Sequence, residues 1–205
     1  MAHLFIKQIP IGPMMNYAYL VGADKGDAVV AIDTAWNAEQ ILSEAKQSGK
    51  KIEAILLTHT HFDHCNAVKD LAKKISVPVY VHEAEAENLP ESLDVRTTKP
   101  ETTVHLAGLD IHCMHTPGHT PGSQCFLIDE MIFTGDTLFV DGCGRVDLPG
   151  SNPKEMIVSL ARLARLPDGI KVFPGHDYGT SPTATIGEQK KTNPYLSSPS
   201  EGILI

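Results

Sequence analysis

Between Leu56 and Ala67 the chain reads LLTHTHFDHCNA, which places His59, His61, Asp63 and His64 inside six residues, directly after an apolar run. His59 and His61 are alternate residues, so extended backbone points both the same way. Asp63 and His64 fall in the turn that follows. Two groups of nitrogen and oxygen ligands could therefore converge from one loop, and imidazole with carboxylate suits Zn, Fe or Mn. The plainer alternative is a polar loop with capping residues. Three stretches downstream repeat the context of an apolar strand, a tight glycine turn and a ligand-type residue. CMHTPGHTPGS carries His119, MIFTGDTLF carries Asp136 and KVFPGHDYG carries His176. Loops along one edge of a sheet, all lining one site, would look like this.

The elements that must position these residues can be read from periodicity. HLFIKQI and NYAYLVG alternate, and DAVVAID is a buried-type run ending at Asp33. ADKGD between the last two is hairpin-turn chemistry. Asn37, with Gln40 three residues on, starts a helix that Gly49 stops. IEAILLT is a buried strand, AVKDLAKKI has helical spacing, and VPVYVH is a further strand. TTVHLAG with LDIHCMHT forms one hairpin, and QCFLID with MIFTGD another. Asn152-Pro153-Lys154-Glu155 starts a helix running to about Leu166. IKVFPGH is a last strand, Thr185 with Glu188 opens a short helix, and TNPYLSSPSEG reads as a Pro- and Ser-rich tail. Strand clusters interleaved with helices give a layered mixed fold. No boundary or linker divides it, so a single domain over 1–205 is expected.

Composition narrows the function classes. The chain has 205 residues, 42% hydrophobic and 20% charged, with a formal net charge of −8. That balance argues against nucleic acid and against an anionic membrane surface, both of which select for Lys and Arg. No run approaches the length of a membrane span. The N-terminal MAHLFIKQIPIG lacks the pattern of a signal peptide. The four cysteines show no paired spacing, and a cytoplasmic location with free thiols is expected. His3, His82, His105, His112 and His115 read as structural or surface residues. Thr-Pro-Gly between His115 and His119 rules out a helical metal pair.

His59, His61, Asp63, His64, His119, Asp136 and His176, in this order and context, resemble the metallo-β-lactamase superfamily over nearly the whole chain. The resemblance implies an α+β fold, an αβ/βα sandwich of two mixed β-sheets flanked by helices, with a metal site at one edge. It implies that His59, His61 and His119 hold one divalent ion, that Asp63, His64 and His176 hold a second, and that Asp136 bridges both. With all seven positions filled, a metal-free scaffold role is disfavoured.

HTPGHTPGS, FTGDTLF, GCGR and GHDYG are similar to glyoxalase II (hydroxyacylglutathione hydrolase) and its short relatives. This likeness implies a thioesterase in which two ions, most often Zn2+ with Fe or Mn as alternatives, acidify a shared water that Asp63 orients. Persulfide dioxygenases share the motifs. They imply a single Fe2+ on His59, His119 and Asp136. A lactonase or other ester hydrolase is a third reading. Glyoxalase II carries a further helical C-terminal region beyond the point where this chain stops, and an aromatic residue where this chain reads Arg145-Val146-Asp147. Both departures weigh against strict glutathione specificity. The substrate is expected to be a small molecule, with a glutathione thioester as one candidate. Arg145 is a candidate partner for a substrate carboxylate or for Asp141 or Asp147. Tyr178 is a candidate hydrogen-bonding group at the thiol side. Cys143 is expected to be structural. An apolar first strand and the Pro-rich tail allow a homodimer.

Overall fold

A computed structural model describes residues 4–198. The first sheet is built from β1 (Leu4–Ile11), β2 (Asn16–Ala23), β3 (Ala28–Ile32), β4 (Lys51–Leu56), β5 (Val79–His82) and β6 (Val95–Thr98), in that order. β1, β2 and β3 pair antiparallel, and β3 to β6 run parallel. Helices α1 (Ala38–Gln47), α2 (Phe62–Cys65) and α3 (Val68–Ile75) lie in its crossovers. The second sheet comprises β7 (Thr102–Leu106), β8 (Leu109–His115), β9 (Gln124–Ile128), β10 (Met131–Gly135), β11 (Lys171–Pro174) and β12 (Ala184–Thr185), ordered β12-β11-β10-β9-β8-β7. α4 (Pro153–Leu163), α5 (Ile186–Thr192) and α6 (Pro194–Ser197) accompany it.

Strand alternation sorts the core into three layers. Val30, Ile32, Ala54 and Leu56 face inward and meet Ile111, Phe126, Phe133 and Phe173 between the sheets. Their neighbours Val29, Ala31 and Ile55 face outward and pack on Ile41, Ala45 and Leu71 of α1 and α3. On the far side Met114, Ile132 and Val172 pack on Met156, Leu160 and Ile186 of α4 and α5. The layers therefore run helix, sheet, sheet, helix, as the resemblance implied.

Most capping signals hold. The Asn37 side chain accepts from the Gln40 backbone N–H, Asn152 caps α4, and Thr185 with Glu188 completes a capping box. Two expectations need correction, and one strand was not foreseen. α4 ends at Leu163, because backbone preceding Pro167 is disfavoured in α-helix and the chain tightens there into Arg165→Arg162 and Leu166→Leu163 turns. TNPYLSSPSEG is not simply a tail. Asn193 caps α6, Pro194 opens it, and Leu196 is buried against the outer layer of the second sheet. The remainder of that stretch, residues 199–202, lies outside the described residues. Finally, VRTT forms the edge strand β6, whose exposed Arg96 and Thr97 gave it no apolar signature.

β8, β10 and β11 run in the same direction, so the loops leaving their C-terminal ends emerge at one edge. The loop after β4 meets them there. Asn16, at the start of β2, pairs in an isolated bridge with His176, just past β11, and this ties the two sheets together at that edge.

Candidate metal centre

His59 and His61 leave β4 in the loop, and the short helix α2 carries Asp63 and His64. Sequence reading placed the last two in a turn, and they are in this helical turn. The second sheet supplies His119 from the loop after β8, Asp136 immediately after β10 and His176 two residues after β11. All seven sequence-identified residues come together. Donor atoms of His59, His61 and His119 lie within 4.8 Å of one another, as do those of Asp63, His64 and His176, and those of His59, His64 and Asp136. Asp136 sits between the groups. Its Oδ2 is 3.5 Å from His119 Nε2 and 3.3 Å from His176 Nε2, and its Oδ1 is 3.1 Å from His64 Nε2. Asp63 Oδ2 is 3.3 Å from His176 Nε2.

Residues far away in sequence fix three of the rings, those of His64, His119 and His176. Asp33 Oδ2 lies 2.9 Å from His64 Nδ1 and accepts from Thr58 Oγ1, while its Oδ1 accepts from the Thr58 backbone. His119 Nδ1 faces the Arg145 carbonyl and His176 Nδ1 the Met14 carbonyl, both at 2.8 Å. In each case the second ring nitrogen is left for the centre. Trp36 Nε1 donates to Asn16 Oδ1 at 2.8 Å, which orients the Asn16 amide to donate to Asp63 Oδ2 at 2.9 Å. Buried Glu85 accepts from the backbone and hydroxyl of Thr60, from Thr120 Oγ1 and from the Gly122 backbone, which joins the His61 loop to the His119 loop. Sequence reading missed Asp33, Asn16, Trp36 and Glu85. The signal for Asp33 was present, since it ends an apolar run as Asp136 does.

Two glycines make the close approach possible. Gly135 has φ +48, and a Cβ there would lie 2.5 Å from Thr58 Oγ1. A Cβ on Gly175 would lie 2.5 Å from Asp136 Oδ1 and 2.9 Å from His64 Cε1.

The electrostatics suit cation ligands. Burial, reinforced by the neighbouring His64, holds His59 well below the usual imidazole range. Burial and His119 lower His61 as well. Burial opposes the charge on Asp63, but the His176 hydrogen bond and the His64 charge outweigh it and bring its pKa to about 2. Burial likewise opposes the charge on Asp136, which the facing histidines pull well below the carboxylate range. Against the same penalty, the carboxylates raise His64 well above its ordinary value and His176 to about 9, so these two rings hold protons that a cation binding there would displace. His59 Nε2 is buried with no hydrogen-bond partner, and Asp136 Oδ1 has no hydrogen bond beyond its 3.1 Å ion-pair contact with His64 Nε2. Orphaned buried donors and acceptors are costly. A neutral imidazole nitrogen and a carboxylate oxygen left free beside five further N and O ligands are the donor set of a divalent cation, so the residues fit metal.

The centre opens into a cavity of about 370 Å³ walled by Met14, Phe62, Phe139, Arg145, Leu148 and Tyr178. Arg145 forks onto Asp147, with Nε–Oδ1 and Nη2–Oδ2 both 2.9 Å. The Tyr178 hydroxyl donates to the Met14 carbonyl, and its ring stacks on His176 at 4.5 Å. The Cys143 thiol is pushed up to about 12 by burial, as a structural role requires. His82 stacks on His115 at 4.1 Å, His105 pairs with Asp110 and His112 with Glu101, all apart from the centre. His3 lies outside the described residues.

Residues 11–176, a span that includes all seven convergent residues, match the model of the metallo-beta-lactamase superfamily. The chain belongs to this superfamily. Superfamily relatives include the probable polyketide biosynthesis zinc-dependent hydrolase PksB of Bacillus subtilis, 31% identical over 88% of this chain and 81% of that protein. The hydroxyacylglutathione hydrolase GloC of Haemophilus influenzae is 30% identical over 95% of this chain and 99% of that protein. Among solved structures, ETHE1 from Myxococcus xanthus superposes with a TM-score of 0.87 at 30% identity, over 97% of this chain and 88% of that one. TTHA1623 in a di-iron-bound form superposes with a TM-score of 0.81 at 35% identity, over 93% and 100%. The superfamily fold implies divalent metal, and PksB and GloC are both named as hydrolases. Among the described residues no helix is long and apolar enough to cross a membrane.

Proposed function

We propose that this protein is a metal-dependent hydrolase of small-molecule thioesters. The observation that carries the reading is the convergence of seven imidazole and carboxylate side chains at one open cavity, with the Asp136 carboxylate in contact with both His119 and His176. In this reading His59, His61 and His119 hold one divalent cation, Asp63, His64 and His176 hold a second, and Asp136 serves both. Bound there, the cations supply a Lewis acid for the carbonyl oxygen and acidify a water toward neutral pH. The protein's own side chains do the rest. Burial keeps His59 neutral and therefore competent as a ligand. Asn16 and Trp36 stop the Asp63 carboxylate from turning, and Asp63 orients the attacking water. Asp33 sets the tautomer of His64, leaving Nε2 toward the centre. A thiolate leaves readily, so no strong general acid is needed, and none besides the ligands lines the floor.

The hydroxyacylglutathione hydrolase similar to this chain over nearly its full length supports the thioester. Zinc is the first choice of metal because PksB is named as zinc-dependent, and the di-iron relative makes iron the second. The test is to load the chain separately with zinc, iron and manganese and to follow thiol release from a thioester panel, with lactones alongside. Turnover of a thioester above that of the lactones is expected. Oxygen uptake by the iron form with glutathione persulfide, without thioester turnover, would replace this reading with a single-iron persulfide dioxygenase.

A further inference from the structure

Five large apolar side chains are exposed among the described residues, and Met14, Phe62 and Tyr178 of these wall the one cavity that opens on the metal centre. A fourth, Met15, adjoins them in the chain. Phe62 is 60% exposed and Tyr178 is 51% exposed. Exposed apolar surface concentrated at a cleft marks the place where a ligand covers it. The wall is also held in place. Phe62 meets Trp36 edge-to-face at 5.5 Å, and Tyr178 is pinned between His176 and the Met14 carbonyl. Little ordering cost therefore remains for a ligand that lies along it. Leu148 and Pro149 extend the apolar surface.

Charge points the same way. Arg145 is the one Lys or Arg among the described residues lining the cavity, and its guanidinium is already held in both prongs by Asp147. The chain carries a net charge of −8. A thiol carrier with a net negative charge from its carboxylates would meet no unpaired cation at the rim and an unfavourable overall field.

We infer that the cavity selects substrates whose portion beyond the reacting bond is uncharged and aliphatic, in preference to a glutathione conjugate. This takes the reacting bond from the hydrolase reading and adds the group that flanks it. The test uses thioethers, which have no scissile carbonyl, so the outcome is read whether or not the protein hydrolyses anything. Zinc-loaded protein is titrated calorimetrically with S-methyl- and S-hexyl-N-acetylcysteamine and with S-hexylglutathione. Emission from Trp36, the sole tryptophan, marks binding at Phe62. The neutral hexyl thioether is expected to bind about 200-fold more tightly than the methyl one, from roughly threefold for each of the five added methylenes. It is also expected to bind more tightly than S-hexylglutathione. Asp147→Asn, which releases Arg145, should narrow the neutral-over-anionic ratio about threefold. Phe62→Ser should cut the hexyl gain about tenfold. If that variant does not fold, Met14→Ser keeps the carbonyl that His176 needs and should cut the gain about threefold. A hexyl gain below about fivefold, or S-hexylglutathione binding as tightly as the neutral thioether, would overturn the inference.

Discussion

The first sheet delivers His59, His61, Asp63 and His64 from one loop, and side chains hold them: Asp33 on His64, Asn16 on Asp63, and Glu85 on the backbone of Thr60. The second sheet delivers His119, Asp136 and His176 from three loops, and backbone holds them. His119 and His176 each face a carbonyl, and Asp136 lies against the bare Cα of Gly175. The difference teaches where each half is vulnerable. A ligand held by a side chain is lost when the type of that side chain changes. One held by backbone is indifferent to residue type and sensitive to any atom that moves the chain.

That contrast can be broken at four points. Gly175→Ala should do the most damage. Its Cβ needs the space of Asp136 Oδ1 and His64 Cε1, and about a 100-fold loss of turnover is expected. Elemental analysis of the same preparation should show metal below the wild-type content. Asp33→Asn keeps the shape, and asparagine tolerates the φ of +52 found there, but an amide cannot accept from all its present donors. A 10–100-fold fall in metal affinity, read by competition with a chelating dye, is about what loss of such a partner costs. Glu85→Gln leaves at least one buried donor unpaired, and the midpoint of denaturant unfolding should report a loss of about 1–3 kcal/mol. Arg145→Ala should leave metal affinity within about twofold, because His119 uses the carbonyl and not the guanidinium. Loss of metal in that variant would remove the distinction between the two halves.

The same contrast explains what could be read in advance. His59, His61, Asp63 and His64 are legible because they are contiguous. His119, Asp136 and His176 are legible because each repeats one local context, a buried strand and then a glycine. The elements and a layered mixed fold followed from strand alternation and helix caps, which are local chemistry, and the order of the layers from the family resemblance. Asp33, Asn16, Trp36 and Glu85 act on partners between 20 and 47 residues away, and no local pattern records that pairing. Glu85 is further masked by its neighbours in EAEAEN, where it alone is buried. The edge strand β6 and the short helix α6 were missed because a half-exposed strand and a four-residue helix carry almost no periodicity.

The bond from His176 to the Met14 carbonyl spans 162 residues, and the Tyr17 backbone donates to Gly175 beside it at 2.8 Å. Closing so long a loop is entropically expensive and is deferred until nearer contacts have formed. During synthesis the loop after β4 leaves the ribosome long before His176 exists, so the group of Asp63, His64 and His176 stays incomplete until the last of the seven residues is made. The turn of the first hairpin gains its partners only when the last long strand arrives, and the complete centre exists only in molecules that have finished folding.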